Sequence, residues 1–176
     1  MKPRVFSSLL FLSFMLIGCS ATDAQVQGLC LDQHFDEEIA STISFTAPII
    51  GVTELAANRS SYMVFDTRKK EEYEVSHIPG ANYLGYKDFD ETRLEGTPKE
   101  AKIVLYCSIG YRSEKIAERL QSLGYQNVYN LYGSIFEWAN RSYPLEDRNG
   151  DVTTKVHTYN KTWSKWVNGE KVEKIW

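Results

Sequence analysis

The sequence predicts an α/β fold in which a central, mainly parallel sheet carries helices on both faces. Three observations predict it. Short uncharged apolar runs recur in the middle of the chain, at Tyr62-Met63-Val64-Phe65 and Ile103-Val104-Leu105-Tyr106, each of the length and character of a strand buried on both sides. Residues 113–123 carry the helical period instead, with Ile116, Ala117, Leu120 and Leu123 on one face and charges on the other. Strand and helix patterns alternate, the order that produces a parallel sheet covered on both faces.

The chain opens with an address rather than a fold element. Lys2 and Arg4 precede an uncharged, mostly apolar run from Val5 to Ile17. A spanning helix needs about 20 apolar residues. This shorter run has the length of a signal-peptide core. It ends in Leu16-Ile17-Gly18-Cys19, which resembles the bacterial lipobox. The resemblance implies that residues 1–18 are a lipoprotein signal peptide, cut before Cys19, whose thiol is lipidated. Of the 176 residues, 158 (176 − 18) would remain, and loss of Lys2 and Arg4 would take the net charge from −3 to −5. Membrane attachment is then through the lipid anchor only. Ser20 stands where an Asp would favour inner-membrane retention. The expected location is the bacterial cell envelope, lipid-anchored and facing the periplasm, at the outer membrane rather than the inner.

Residues 19–48 are polar and weakly periodic, and are expected to form a tether and lead-in segment. Cys30 falls here; a buried, inert small residue is the default for an isolated cysteine, with a surface thiol or half of a disulfide as alternatives. A domain is expected over 49–145. Ile49 to Val52 is a short apolar run, and Thr53 can cap a helical turn through Glu54-Leu55-Ala56-Ala57. The strand over 62–65 ends at Asp66, and that over 103–106 ends at Cys107. The helix over 113–123 stops at Gly124. Val128-Tyr129-Asn130-Leu131 is a third strand, and Ile135 to Asn140 a short helix holding Trp138. Residues 146–176 form a polar and aromatic C-terminal extension with Tyr159, Trp163, Trp166 and Trp176. Trp163 and Trp166 share a face if helical. The extension is expected to pack on the domain, a partner or substrate surface being the sharper alternative.

Composition excludes several classes. A net charge of −3 is poor for nucleic-acid binding, which needs clustered Lys and Arg. Three Cys are too few for a disulfide scaffold or a structural zinc site. His34 and His157 have no partners at metal-ligand spacing, so no metal is expected. The three Asn-X-Ser/Thr triplets, beginning at Asn58, Asn140 and Asn160, are read as chance.

Chemistry concentrates at Cys107-Ser108-Ile109-Gly110-Tyr111-Arg112, between an apolar strand and an amphipathic helix. Open parallel sheets place their ligands at the carboxyl ends of strands. The amides at the start of the following helix favour an anion there and stabilise a thiolate over a thiol. Gly110 supplies dihedrals closed to other residues, and Arg112 a fixed cation. Ser113 can cap the helix. Cys107 is thus the expected nucleophile, facing an anionic substrate held by Ser108 to Ser113. A buried core cysteine is the competing reading. Phosphatases that form a phosphocysteine have five residues between Cys and Arg, whereas this loop has four.

Loop and flanks together resemble the rhodanese-like sulfurtransferase family. One motif is the loop followed by Ser113, Leu120, Gly124-Tyr125, Val128-Tyr129, Leu131, Gly133 and Trp138. The other is Asp66-Thr67-Arg68, Glu72-Tyr73 and His77-Ile78-Pro79-Gly80-Ala81. Ser76 and Ser134 stand where the family commonly has Gly. The resemblance implies a three-layer rhodanese-like fold and a single domain. It implies transfer of a sulfane sulfur, from thiosulfate or a similar small anionic donor, to a thiol, cyanide or protein cysteine. The intermediate would be a persulfide on Cys107, with no organic cofactor. Asp66, Arg68, Glu72 and His77 are expected to form a structural polar network near the site. A non-catalytic module acting as persulfide carrier, redox sensor or partner-binding domain is the alternative, with phosphatase or arsenate reductase activity further off.

Overall fold

A computed structural model describes residues 28–176. The leader, the lipobox and Cys19 lie outside the described residues. Five strands, β1 (Ile49–Gly51), β2 (Met63–Asp66), β3 (Asn82–Tyr83), β4 (Lys102–Tyr106) and β5 (Asn127–Tyr132), form one sheet in the order β1-β5-β4-β2-β3. Every pairing in it is parallel. This is the three-layer α/β architecture that the alternating pattern predicts.

The alternation of side chains along β4 divides the core in two. Val104 and Tyr106 join Val64, Ile50 and Leu131 on one face. There they meet α1 (Gln33–Thr42), α2 (Val52–Ala57) and α5 (Ser134–Asn140). Ile103 and Leu105 join Phe65 and Val128 on the other, beneath the Ile116, Ala117 and Leu120 stripe of α4 (Tyr111–Ser122). The helix α3 (Lys70–Val75) links β2 to β3.

Three expectations need correction. The lead-in is not only a tether. Asp32 caps α1 by accepting from the amides of His34 and Phe35, and Phe35 and Ile39 are fully buried. Buried carboxylates buckle the segment to the domain. Asp36 accepts from the amides of Gly28 and Cys30, Glu137 from that of Leu31, and Glu114 from those of Ser44 and Thr46. The helix α4 begins at Tyr111 with Gly110 as its N-cap, so Ser113 lies within the first turn and is not the cap. Thr53 likewise lies inside α2, whose N-cap is Gly51.

The C-terminal extension divides by residue. Its strands β6 (Lys155–His157) and β7 (Glu173–Ile175) pair with each other, and β6 packs on α3. Val156 and Val167 are buried. A short 3₁₀ turn, Trp163–Trp166, puts Trp166 against Phe35 with ring centroids 5.4 Å apart. Trp163 is partly buried against the same core.

Candidate active site

Cys107 follows β4 directly, and the chain then turns through Ser108, Ile109 and Gly110 into α4. Gly110 has φ +127°, a conformation that L side chains rarely adopt. That turn brings its amide to 3.2 Å from the Cys107 sulfur. Asn130 of β5 locks the turn from below: its Nδ2 donates to the Gly110 carbonyl (3.0 Å), and Ser113 Oγ donates to its Oδ1 (2.7 Å). The side chains of Asn130 and Ser113 thus brace the turn from behind, while the Gly110 amide points at the sulfur.

Cys107 is almost fully buried, and burial pushes its thiol up. The charge of Arg112 and the amides of Ser113, Gly110 and Ile109 pull the other way and prevail, leaving the pKa below the ordinary thiol value. The Arg112 fork is already engaged. Its two terminal nitrogens donate to the Glu72 carboxylate at 2.7 and 2.9 Å, and one also donates to Ser108 Oγ at 3.0 Å. Glu72, fully buried, also accepts from the amide of Lys69 (3.0 Å). Against the effect of burial, the hydrogen bonds and charge of Arg112, then the charge of Arg68, bring its pKa down to about 2. Arg112 is thus a cation fixed beside the sulfur.

Asp66 and Arg68 form a second pair, wholly buried, with a shortest contact of 2.6 Å. Arg68 also donates to the carbonyl of Ser76, while its Nη1 is buried without a partner. His77 stands apart: its ring stacks on Tyr73 with centroids 4.0 Å apart, and its backbone pairs with Glu146. Ser76 has extended backbone, so its lack of glycine costs nothing in dihedral strain. Ser134 differs. It has φ +50° just after Gly133 at +73°, and it offsets that strain through its hydroxyl, which accepts from the Cys107 amide (3.2 Å) and donates to the Leu131 carbonyl (3.0 Å).

A cavity of about 540 Å³ opens over the loop. Cys107, Ser108, Ile109, Tyr111, Arg112 and Arg68 border it. So do residues that the sequence did not place there: Thr42 at the end of α1, Tyr86 and Lys87 after β3, and Tyr159 and Trp163 of the extension. No local pattern marks these contributions, because each arrives through long-range packing. Among the described residues, no group of three or more His, Cys, Asp or Glu is placed to hold a metal ion.

Comparison with known proteins places the chain in a family. The Rhodanese-like domain family model matches residues 52–141, just over half of the chain. The chain belongs to the rhodanese-like domain family. Thiosulfate sulfurtransferase GlpE of Coxiella burnetii is 31% identical to this rhodanese-like protein over 87 residues, which cover 49% of this chain and 79% of that one. A tRNA uridine(34) hydroxylase of Erwinia tasmaniensis is 35% identical over 136 residues, covering 74% of this chain and 37% of the relative. The adenylyltransferase and sulfurtransferase uba4 of Ogataea parapolymorpha is 30% identical over 95 residues, 54% of this chain and 24% of the relative. The chain thus spans only about a quarter to two fifths of the last two proteins. Among solved structures, the BH2092 protein of Bacillus halodurans superposes with a TM-score of 0.54 at 23% identity, covering 65% of this chain and 88% of that one. That likeness shows the fold. The family match stops short of both α1 and the extension, so Thr42, Tyr159 and Trp163 reach the cavity from outside the matched residues.

Proposed function

We propose that this protein is a sulfurtransferase that moves a sulfane sulfur from thiosulfate or a similar anionic donor to a thiophilic acceptor through a persulfide on Cys107. The observation that carries the reading is the Cys107 sulfur beside a cavity, with the Gly110 amide at 3.2 Å and a depressed pKa. The Cys107 thiolate attacks the outer sulfur of thiosulfate. A new S–S bond forms, the donor's S–S bond breaks, and sulfite leaves with the bonding pair. The amides of the loop then hold the terminal sulfur anion of the persulfide. A cyanide, thiol or protein-cysteine acceptor attacks that sulfur, and the electron pair returns to Cys107. Arg112, held by Glu72, keeps the sulfur anionic at the start and end of each cycle. Turnover of thiosulfate and cyanide by the parent and by Cys107→Ser tests the reading. Loss of turnover in the variant, with one added sulfur on Cys107 in the thiosulfate-treated parent, is the expected result; equal turnover by both would remove it.

The location proposed with this activity is the periplasmic side of the bacterial envelope, held through a lipid on Cys19 and at the outer membrane rather than the inner. The leader and the Leu16-Ile17-Gly18-Cys19 run support it. No described helix is long and apolar enough to cross a membrane. Fractionation of cells expressing the full chain checks it: Cys19→Ser is expected to leave the membrane pellet, and a variant that stayed there as the parent does would contradict it.

A further inference from the structure

We propose that Tyr159 and Trp163 select the sulfur compound that reaches Cys107, favouring an organic donor with a planar apolar body and an anionic end. The inference rests on the sulfurtransferase reading and names its substrate class. A cavity of about 540 Å³ offers far more room than thiosulfate needs, and pockets of roughly this size hold organic ligands lined by aromatic side chains with a few placed polar groups. Tyr111, Tyr159 and Trp163 supply such walls here, and Lys69 and Lys87 supply positive charge. The one carboxylate on the lining, Asp88, is already bound by the Tyr83 hydroxyl at 2.6 Å.

The extension holds its two rings at the cavity by specific means. Tyr159 has φ +66°, a strained conformation for an aromatic residue. Its amide donates to His157 Nδ1 (3.1 Å), the Asn160 amide donates to the Thr158 carbonyl (2.7 Å), and the Trp163 amide donates to Asn160 Oδ1 (3.0 Å). The turn therefore keeps Tyr159 in place while its side chain stays 46% exposed, which burial in a core would not require. The Arg112 guanidinium lies 5.3 Å from the centre of the Tyr159 ring, so the ring stands next to the cation that faces the nucleophile. Trp166 of the same turn packs on Phe35 and anchors the extension, while Trp163, partly buried against the same core, also borders the cavity. Neither Tyr159 nor Trp163 lies within residues 52–141, so this selection comes from outside the residues that the family model matches.

An arylthiosulfonate has the required shape and charge. The Cys107 thiolate attacks its terminal sulfur, the S–S bond forms on the enzyme, and the donor's S–S bond breaks, with the electron pair leaving on the arylsulfinate. The test measures kcat/KM for benzenethiosulfonate and for thiosulfate at fixed cyanide, in the parent, Tyr159→Ala, Trp163→Ala and Tyr159→Phe. In the alanine variants kcat/KM on benzenethiosulfonate is expected to fall about tenfold relative to thiosulfate, chiefly through KM, while Tyr159→Phe holds the parental ratio. An unmoved ratio in Tyr159→Ala, in protein with the parent's thermal midpoint, overturns the proposal even if Trp163→Ala proves unstable. A parent inactive on both donors instead removes the sulfurtransferase reading itself, together with this one.

Discussion

Cys107 and Cys30 are both buried thiols within the field of charged side chains, and the signs of those charges set them apart. Cys107 has Arg112 and three backbone amides around it, and its pKa falls despite burial. Cys30 is raised first by burial and then by Glu137 and Asp36, which Arg141 offsets only in part. At neutral pH, iodoacetamide is expected to alkylate Cys107 and spare Cys30, as peptide mapping would show. Removing the cation in Arg112→Met should move the alkylation midpoint of Cys107 up by about one pH unit or more; an unchanged midpoint would mean that the amides alone suffice. The ion pair of Arg112 with Glu72 has a consequence for stability. Glu72 has a folded pKa of about 2, below its ordinary value of 4.5. A depressed carboxyl stabilises the fold above its unfolded pKa, and that contribution disappears as pH falls from about 4.5 towards 2. Thermal midpoints of the parent should drop across this window, more steeply than those of Glu72→Gln, which lacks the titration. Parallel curves would contradict the assignment.

The helix α1 joins the core through two apolar residues, Phe35 and Ile39, both fully buried. Phe35→Ala is expected to cost about 3–5 kcal/mol in chemical denaturation, against roughly zero for the exposed Leu31→Ala. Similar values for both would restore the idea of a loose tether. Two apolar positions among charged neighbours are too few for a helical stripe, which is why this element was not legible in the sequence. By contrast β2 and β4 announce themselves as uninterrupted apolar runs because both of their faces are covered, β5 as a run broken at Asn130, and α4 because one of its faces is not covered. The nucleophile loop was legible for a related reason: its parts lie within six consecutive residues. That Glu72 clamps Arg112 was not, since 40 residues separate the two and only the parallel placement of β2 beside β4 brings them together. The junction of β5 and α5 shows a departure that the sequence marks but cannot evaluate. Ser134 occupies a left-handed position and binds the Cys107 amide. Ser134→Ala keeps the strain and loses the hydrogen bonds, whereas Ser134→Gly loses the bonds and the strain together. The alanine variant should be less stable than the glycine variant by about 1 kcal/mol by thermal unfolding.

At the scale of the whole molecule, the segments flanking the family core complete both the apolar interior and the site. Residues 28–48 place Phe35 and Ile39 on one face of the sheet, and the extension places Val156, Val167 and Trp166 there as well. Without them Phe136 would lose its neighbour Phe35, at 6.4 Å, and the buried Glu114 would lose the amides of Ser44 and Thr46. A buried carboxylate left without its donors costs about 1–3 kcal/mol or more. Small domains have little stability in reserve, about 5–15 kcal/mol in all. A fragment of residues 49–145 is therefore expected to lack a cooperative thermal transition, while residues 28–176 melt in one step. Circular dichroism on the two proteins distinguishes the outcomes. A fragment that melted sharply near the midpoint of the longer protein would show that the flanks only decorate a self-sufficient core. The expected failure would instead mean that the same segments which wall the cavity also hold the sheet together, through different residues: changes at buried positions such as Val156 alter folding, while changes at Tyr159, half exposed beside Arg112, alter what the cavity accepts.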